Sequence, residues 1–199
     1  MFAHALSHFK KHDPILYKAF HGKDPILVKK SNAYFSDLCE TIIGQQLSVK
    51  AARTIFGRFK EQFSRGIITP QKVHEIPIEK MRECGLSKSK AMFIKDLSTK
   101  VLSEEIVLEE LEKLEDDIVR SALKKVKGIG DWTVEMFMMF SLGREDVFSH
   151  SDLGLRKAIK KLYNLKEMPD KRMLEHITKK WSPYRTYASL VLWKELDSK

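Results

Sequence analysis

The chain has 199 residues, 43% of them apolar, and carries 36 Lys and Arg against 27 Asp and Glu, a formal charge of +9 with a pI near 9.4. That length buries a sizeable core in one domain or two intimate lobes, and the basic balance favours a polyanionic partner. Two cysteines, Cys39 and Cys84, exclude a disulfide framework and a four-thiolate iron–sulfur cluster, and no stretch approaches the ~18 uninterrupted apolar residues of a membrane span. The amino terminus lacks a basic segment followed by a long apolar run, so a reducing, intracellular location is expected, cytoplasmic in a prokaryote or nuclear in a eukaryote.

Apolar residues recur at helical spacing nearly throughout and strand-like alternation is scarce, which makes the class all-α. A first helix is expected over residues 1–12, with Phe2, Leu6 and Phe9 on one face. Asp13-Pro14 and Asp24-Pro25 punctuate the next stretch of chain, because the residue before proline is pushed out of the helical region. A helix from Ala33 carries Phe35, Leu38, Ile42 and Ile43 on one stripe and runs to Gly44-Gln45-Gln46. Ser48 is suited to cap the next helix, whose apolar face is Val49, Ala52, Ile55, Phe56 and Phe59.

Thr69-Pro70 pairs a cap with a proline at the first helical position, and residues 78–84 read as a short helix. Gly85 suits a helix C′ position, and Ser87 caps a helix through Met92, Phe93, Ile94 and Leu97. An acidic helix is expected over residues 104–114, then another from Asp116 or Asp117. Beyond a turn at Met168-Pro169-Asp170 comes a helix over residues 171–180, and a last helix begins near Pro183 with Tyr187, Leu190, Val191 and Trp193 largely inward.

Residues 118–162 hold the features that bear chemistry. A helix ends in Leu123-Lys124-Lys125-Val126, a tight turn Lys127-Gly128-Ile129-Gly130-Asp131 comes next, and a second helix starts at Trp132. Two glycines relieve the penalty on positive φ and admit close approach to the main chain. The N–H groups and dipole at the start of the second helix favour an anion, such as a phosphate. Asp152 stands alone where helical periodicity resumes; by itself it reads as an N-cap, which is compatible with catalysis and keeps the carboxylate ionised. His150 beside it reads as a loop residue, and no metal site is expected among the seven histidines.

Four motifs in order resemble one family, the helix-hairpin-helix DNA glycosylases, in the 3-methyladenine DNA glycosylase II branch. They are Ile42-Ile43-Gly44-Gln45-Gln46-Leu47-Ser48-Val49, Cys84-Gly85-Leu86-Ser87-Lys88-Ser89-Lys90-Ala91, Val126-Lys127-Gly128-Ile129-Gly130-Asp131-Trp132-Thr133 with Asp146-Val147-Phe148 and Asp152, and Trp181-Ser182-Pro183-Tyr184-Arg185-Thr186-Tyr187-Ala188. The resemblance implies two helical lobes with a cleft between them, one of residues 1–30 plus 116–199 and the other of residues 31–115. It implies the compact form, without the N-terminal β-rich domain of larger bacterial members.

The resemblance also assigns roles. Asp152 would be the catalytic carboxylate that stabilises an oxocarbenium-like sugar after the base is flipped out. Trp132 would line the base pocket and stack on a cationic alkylated purine, with Tyr184 and Tyr187 as further aromatic candidates. Met136 and Leu153 stand where an aromatic residue is common in the branch, so the pocket would be less of an aromatic box. Gln46 would plug the gap left in the duplex. Gln45, Ser48, Lys125, Lys127, Gly128, Ile129, Gly130 and Thr133 would join Trp132 in gripping double-stranded DNA. Carbonyls of Lys124, Val126 and Ile129 would hold a Na or K ion, with no other cofactor required. Bifunctional relatives use a lysine two positions after the last hairpin glycine; here that position is Trp132, which implies a monofunctional enzyme, expected to be monomeric. A helix-hairpin-helix module that binds DNA without catalysis, or an enzyme for uracil, hypoxanthine or ethenoadenine, are the competing readings.

Overall fold

The computed structural model describes residues 1–197, which form twelve α-helices and no strand. No helix among them is long and apolar enough to cross a membrane. The chain divides into two compact units, Met1–Lys30 with the chain from Met138 onward, and Ser31–Phe137.

In the second unit, α3 (Tyr34–Gly44) packs on α4 (Val49–Glu61) and α7 (Lys88–Leu102), and α7 also carries α5 (Pro70–Glu75) and α6 (Ile78–Glu83). The stripe Phe35, Leu38, Ile42 and Ile43 is buried as its spacing requires. Side-chain caps start the helices where the sequence places them: Ser48 accepts the Ala51 N–H at 3.3 Å, Thr69 that of Lys72 at 3.3 Å and Ser87 that of Lys90 at 3.2 Å. The acidic segment over residues 104–114 is not an α-helix. Val107 is extended and only Leu108–Lys113 coils, as a 3₁₀ turn, which buries Leu108 and Leu111 at the three-residue spacing of that geometry. α8 (Asp116–Leu123) and the first part of α9 (Asp131–Phe140) complete the unit.

Residues 116–137, expected with the chain termini, thus belong to the other unit. The reason is local: Lys127 N–H donates to Asp96 on α7 at 2.8 Å, Gln45 reaches the Gly128 carbonyl at 2.9 Å, and the Phe93 ring lies against Gly128.

The first unit contains α1 (Phe2–His12), α2 (Pro14–Ala19), α10 (Leu153–Leu162), α11 (Lys171–Lys179) and α12 (Arg185–Asp197). Phe9, Leu16, Leu155, Ile159, Trp181 and Val191 are among its core residues. Asp13-Pro14 not only ends α1 but begins α2, with Asp13 as cap and Pro14 at the first position. Asp13 is 1% exposed, yet its carboxylate accepts from Trp181 Nε1 at 2.7 Å, Leu16 N–H at 3.1 Å, the Tyr163 hydroxyl and Lys180 Nζ at 3.1 Å. Burial alone pushes its pKa up, but the four donors together outweigh that and hold it below the usual value. On α1, His8 and His12 are four residues apart and their rings stack at 4.5 Å, a pairing the sequence reading passed over. They supply two ligands, and no group of three or more side chains able to hold a metal ion occurs among the described residues.

Candidate functional site

The hairpin between α8 and α9 is braced at its base. Arg120 on α8 bonds the buried Glu135 on α9 at 3.2 Å, and Lys124 pairs with Asp131 across the turn. Val126 and Ile129 are buried, while Lys125, Lys127, Gly128 and Gly130 are exposed, so the turn presents main chain and ammonium groups to solvent. Gly128 has φ +78°, and a Cβ there would fall 2.1 Å from the Phe93 ring. Only glycine fits that position. Gly130 differs: its φ lies outside the left-handed region and an added Cβ would meet nothing within 4 Å. The expected relief of positive φ therefore applies to Gly128 alone, and nothing inside the unit requires glycine at 130. Val134 N–H bonds the Gly130 carbonyl at 3.1 Å, which places Gly130 at the start of α9, the end at which a helix directs N–H groups toward an anion. Trp132 follows in the first turn, partly exposed.

Alanine at 128 should lower stability by ~2–4 kcal/mol, combining left-handed strain with displacement of a packed ring, and thermal melts will read this directly.

Gln45 and Thr133, expected to touch DNA, bond each other. Gln45 Nε2 donates to Thr133 Oγ1 and to the Gly128 carbonyl, both at 2.9 Å, and Thr133 is buried. A buried hydroxyl needs a partner, and Gln45 is the side chain within reach. Gln46 is exposed with φ +57°, a left-handed conformation uncommon outside glycine. Ser48 is the exposed cap of α4.

In the first unit, Asp152 caps α10 as its residue type and position predict. Oδ1 accepts the Leu155 N–H at 2.8 Å and the Trp193 indole N–H at 3.1 Å, and the residue is partly exposed. Trp193 stacks on Phe140, itself 52% exposed, with centroids 5.8 Å apart. A Cβ on Gly154 would lie 3.0 Å from Asp152 Oδ1 and 3.2 Å from the indole, so a missing side chain keeps that contact open. Sequence reasoning placed Trp193 inward and did not pair it with Asp152; 41 residues separate the two, and no local pattern joins them.

The loop before Asp152 is fastened to the start of α12. Asp146 accepts from Ser182 at 2.6 Å and from Arg185 Nε at 2.7 Å and Nη2 at 2.8 Å, and these bonds hold its pKa below the usual value against the opposing push of burial. Thr186 Oγ1 donates to the Arg144 carbonyl at 2.6 Å and accepts the Val147 N–H at 3.0 Å. His150 is a loop residue, edge-on to Phe148.

Of the expected pocket residues, Leu153 is exposed and Tyr184 partly so. Met136 and Tyr187 are interior, at 6% and 2% exposure, and do not present a surface to a base. Tyr187 sits among the core aromatics with its hydroxyl on Glu145 at 2.7 Å; burial first, then that carboxylate, push its pKa well up.

Residues 39–183 match the model of the HhH-GPD superfamily base excision DNA repair protein. The chain is 32% identical to a putative DNA-3-methyladenine glycosylase of Bacillus subtilis, across 98% of this chain and 69% of that protein. It is 36% identical to DNA-3-methyladenine glycosylase 1 of Schizosaccharomyces pombe, across 80% of this chain and 71% of the relative. The solved structure of an S. pombe 3-methyladenine DNA glycosylase in complex with abasic DNA matches with a TM-score of 0.89 at 32% identity, covering 98% of this chain and 97% of that one. By sequence and by fold, this chain belongs to the HhH-GPD superfamily of base excision DNA repair proteins.

Proposed function

We propose that the chain is a monofunctional DNA glycosylase that hydrolyses the N-glycosidic bond of alkylated purines, of the 3-methyladenine and 7-methylguanine type, in duplex DNA, acting as a monomer. The observation that carries this is the Asp152 carboxylate, fixed by a main-chain N–H and an indole N–H at a partly exposed helix start. As a helix cap alone, asparagine or serine would serve as well, and a DNA-binding module without catalysis gains nothing from a full negative charge brought near a polyanion.

An alkylated purine already carries positive charge, so when the C1′–N bond breaks the bonding pair leaves with a neutral base and the charge passes to the sugar. Asp152 would stabilise that oxocarbenium-like sugar and orient the water that adds to C1′, the water losing a proton and leaving an abasic site. Trp132 would stack on the charged base before departure, a cation–π contact worth up to ~2 kcal/mol when desolvated. Gln46, exposed at the tip of its turn, would take the space of the extruded nucleotide. The amides around Gly130 would receive a phosphate, with Lys125 and Lys127 adding salt-sensitive attraction. Main-chain carbonyls of Lys124, Val126 and Ile129 suit a Na or K ion beside it: the Val126 oxygen accepts the Ile129 N–H at 3.2 Å, and a carbonyl has two lone pairs. Such an ion would screen the phosphate charge.

The test is incubation with duplexes carrying one 3-methyladenine, 7-methylguanine, hypoxanthine, ethenoadenine or uracil, scoring alkali-labile sites. Release of the two alkylpurines ahead of the others supports the reading; release of uracil alone would move the enzyme to another substrate class, and no release would leave a binding module. Borohydride should trap no covalent complex with abasic DNA, since Trp132 stands at the position where bifunctional relatives carry their lysine and offers no amine. Efficient trapping would make the enzyme bifunctional.

Gly130→Ala tests the grip separately. Open space around the new methyl group predicts a fold unchanged within ~0.5 kcal/mol, while affinity for duplex falls about tenfold or more through loss of a charge-assisted bond worth ~1.5–3 kcal/mol. Binding equal to wild type in a titration of labelled duplex would remove the phosphate from this turn.

A further inference from the structure

The turn that carries Gln46 is held in a conformation its backbone would not choose unaided. After α3 ends at Gly44, Gln45 has φ −49° and ψ 127°, Gln46 has φ +57°, and Leu47 N–H closes the turn on the Gly44 carbonyl at 3.1 Å. This is a type II turn with Gln46 at its third position, where glycine or asparagine is favoured. A type I turn differs chiefly by rotation of its central peptide through about 180°, and it would return Gln46 to negative φ. That rotation would carry the Gln45 carbonyl to the opposite side.

In this protein the Gln45 carbonyl is not free to rotate. It accepts from Lys90 Nζ at 2.7 Å, and the same ammonium donates to the Ile43 carbonyl at 2.8 Å. Lys90 lies in the first turn of α7, a 15-residue helix whose cap, Ser87 Oγ, accepts the Lys90 N–H itself. The backbone from which the lysine side chain springs is therefore fixed. The Gln45 side chain is fixed independently, on Gly128 and Thr133, so the residue is held by both its amide and its carbonyl. Neither Ile43 nor Gln45 offers a charge; two neutral oxygens hold an ammonium whose pKa burial pulls down.

We infer that Lys90 is a positioning residue for base excision: by holding the Gln45 carbonyl it keeps the turn over residues 44–47 in type II form, and so keeps Gln46 in the left-handed conformation that presents its amide to DNA. The inference rests on the reading of Gln46 as the side chain that fills the emptied space in the duplex. Lys90 itself touches no substrate in this scheme.

Lys90→Met, which keeps the stem and removes the donors, should slow single-turnover excision about tenfold in the wild-type background and less than about twofold in a Gln46→Ala background, the non-additivity expected of two residues acting as one unit. Lys90→Arg, which retains donors, should restore most of the rate. Equal slowing in both backgrounds would reduce Lys90 to a general structural role, and a wild-type rate in Lys90→Met would overturn the inference outright. Should Lys90→Met fail to fold, Lys90→Leu, which also lacks a donor, carries the same comparison. A crystal structure of the folded variant without DNA decides the matter independently of activity: negative φ at Gln46 supports Lys90 as the lock, and retained positive φ overturns it. If the wild type releases no base from any duplex, the glycosylase reading falls, while that backbone angle still settles what Lys90 does.

Discussion

Asp152→Asn is expected to lower the single-turnover rate of alkylpurine release by ~10²–10³-fold, the usual consequence of removing one group aimed at charge that develops in the transition state. Stability should change little. Asparagine caps helices about as well as aspartate, and its amide oxygen can still accept the Leu155 N–H and the Trp193 indole N–H that Asp152 Oδ1 accepts now. Duplex binding should be retained or improved, because a negative charge near a polyanion is removed. Asp152→Ala, by contrast, also loses the cap, at ~1 kcal/mol. The informative comparison is thus rate against melting temperature for Asn and Ala together. A rate for Asp152→Asn within a few fold of wild type, at equal folding, would assign the chemistry to another group.

The largest effect on stability is expected at a carboxylate with no part in the reaction. Asp13→Ala removes the shared acceptor of Trp181, Tyr163, Leu16 and Lys180 from a fully enclosed position, and loss of one partner from a buried charged network costs ~3–5 kcal/mol. The same network gives stability a pH dependence of definite sign. The folded pKa of Asp13 lies below its ordinary value of 3.8, so the carboxylate contributes stability that is complete above that value and disappears as pH falls through the lower folded pKa. Melting temperatures measured from pH 7 down to pH 2 should therefore fall more steeply at the acid end for wild type than for Asp13→Asn, which starts lower and has no proton to take up there. Parallel curves for the two proteins would place the acid sensitivity elsewhere.

Much of the architecture was legible because it is written locally. Ser48, Thr69, Ser87, Asp152 and Asp170 each sit one residue before a run of helical periodicity, and each supplies a capping oxygen. Gly85, with φ +105°, occupies the left-handed position after α6 that its place in the sequence suggests. The failures share a different cause. Composition alone made residues 104–114 look like one acidic helix, although the burial of Leu108 and Leu111 at a three-residue spacing selects a 3₁₀ turn. Gln45 and Thr133 carry polar groups suited to DNA, but 88 residues of separation hid the bond between them. Distance along the chain likewise hid Trp193 as the neighbour of Asp152, and Phe140 as the ring on which Trp193 stacks. Tyr187 belonged to a motif that also holds the partly exposed Tyr184 and the pinning residues Ser182, Arg185 and Thr186, yet its own face of α12 turns into the core.

The empty volume over Gly130 separates two kinds of damage that a single survey of variants would confuse. Selection for heat resistance or protease survival will pass small side chains at 130 and reject them at 128, although both glycines belong to the same five-residue turn. A cell carrying alanine at 130 would accumulate intact repair protein at normal abundance, with its hold on duplex weakened about tenfold or more. Its defect would surface only under alkylating stress, as unrepaired lesions and not as missing enzyme.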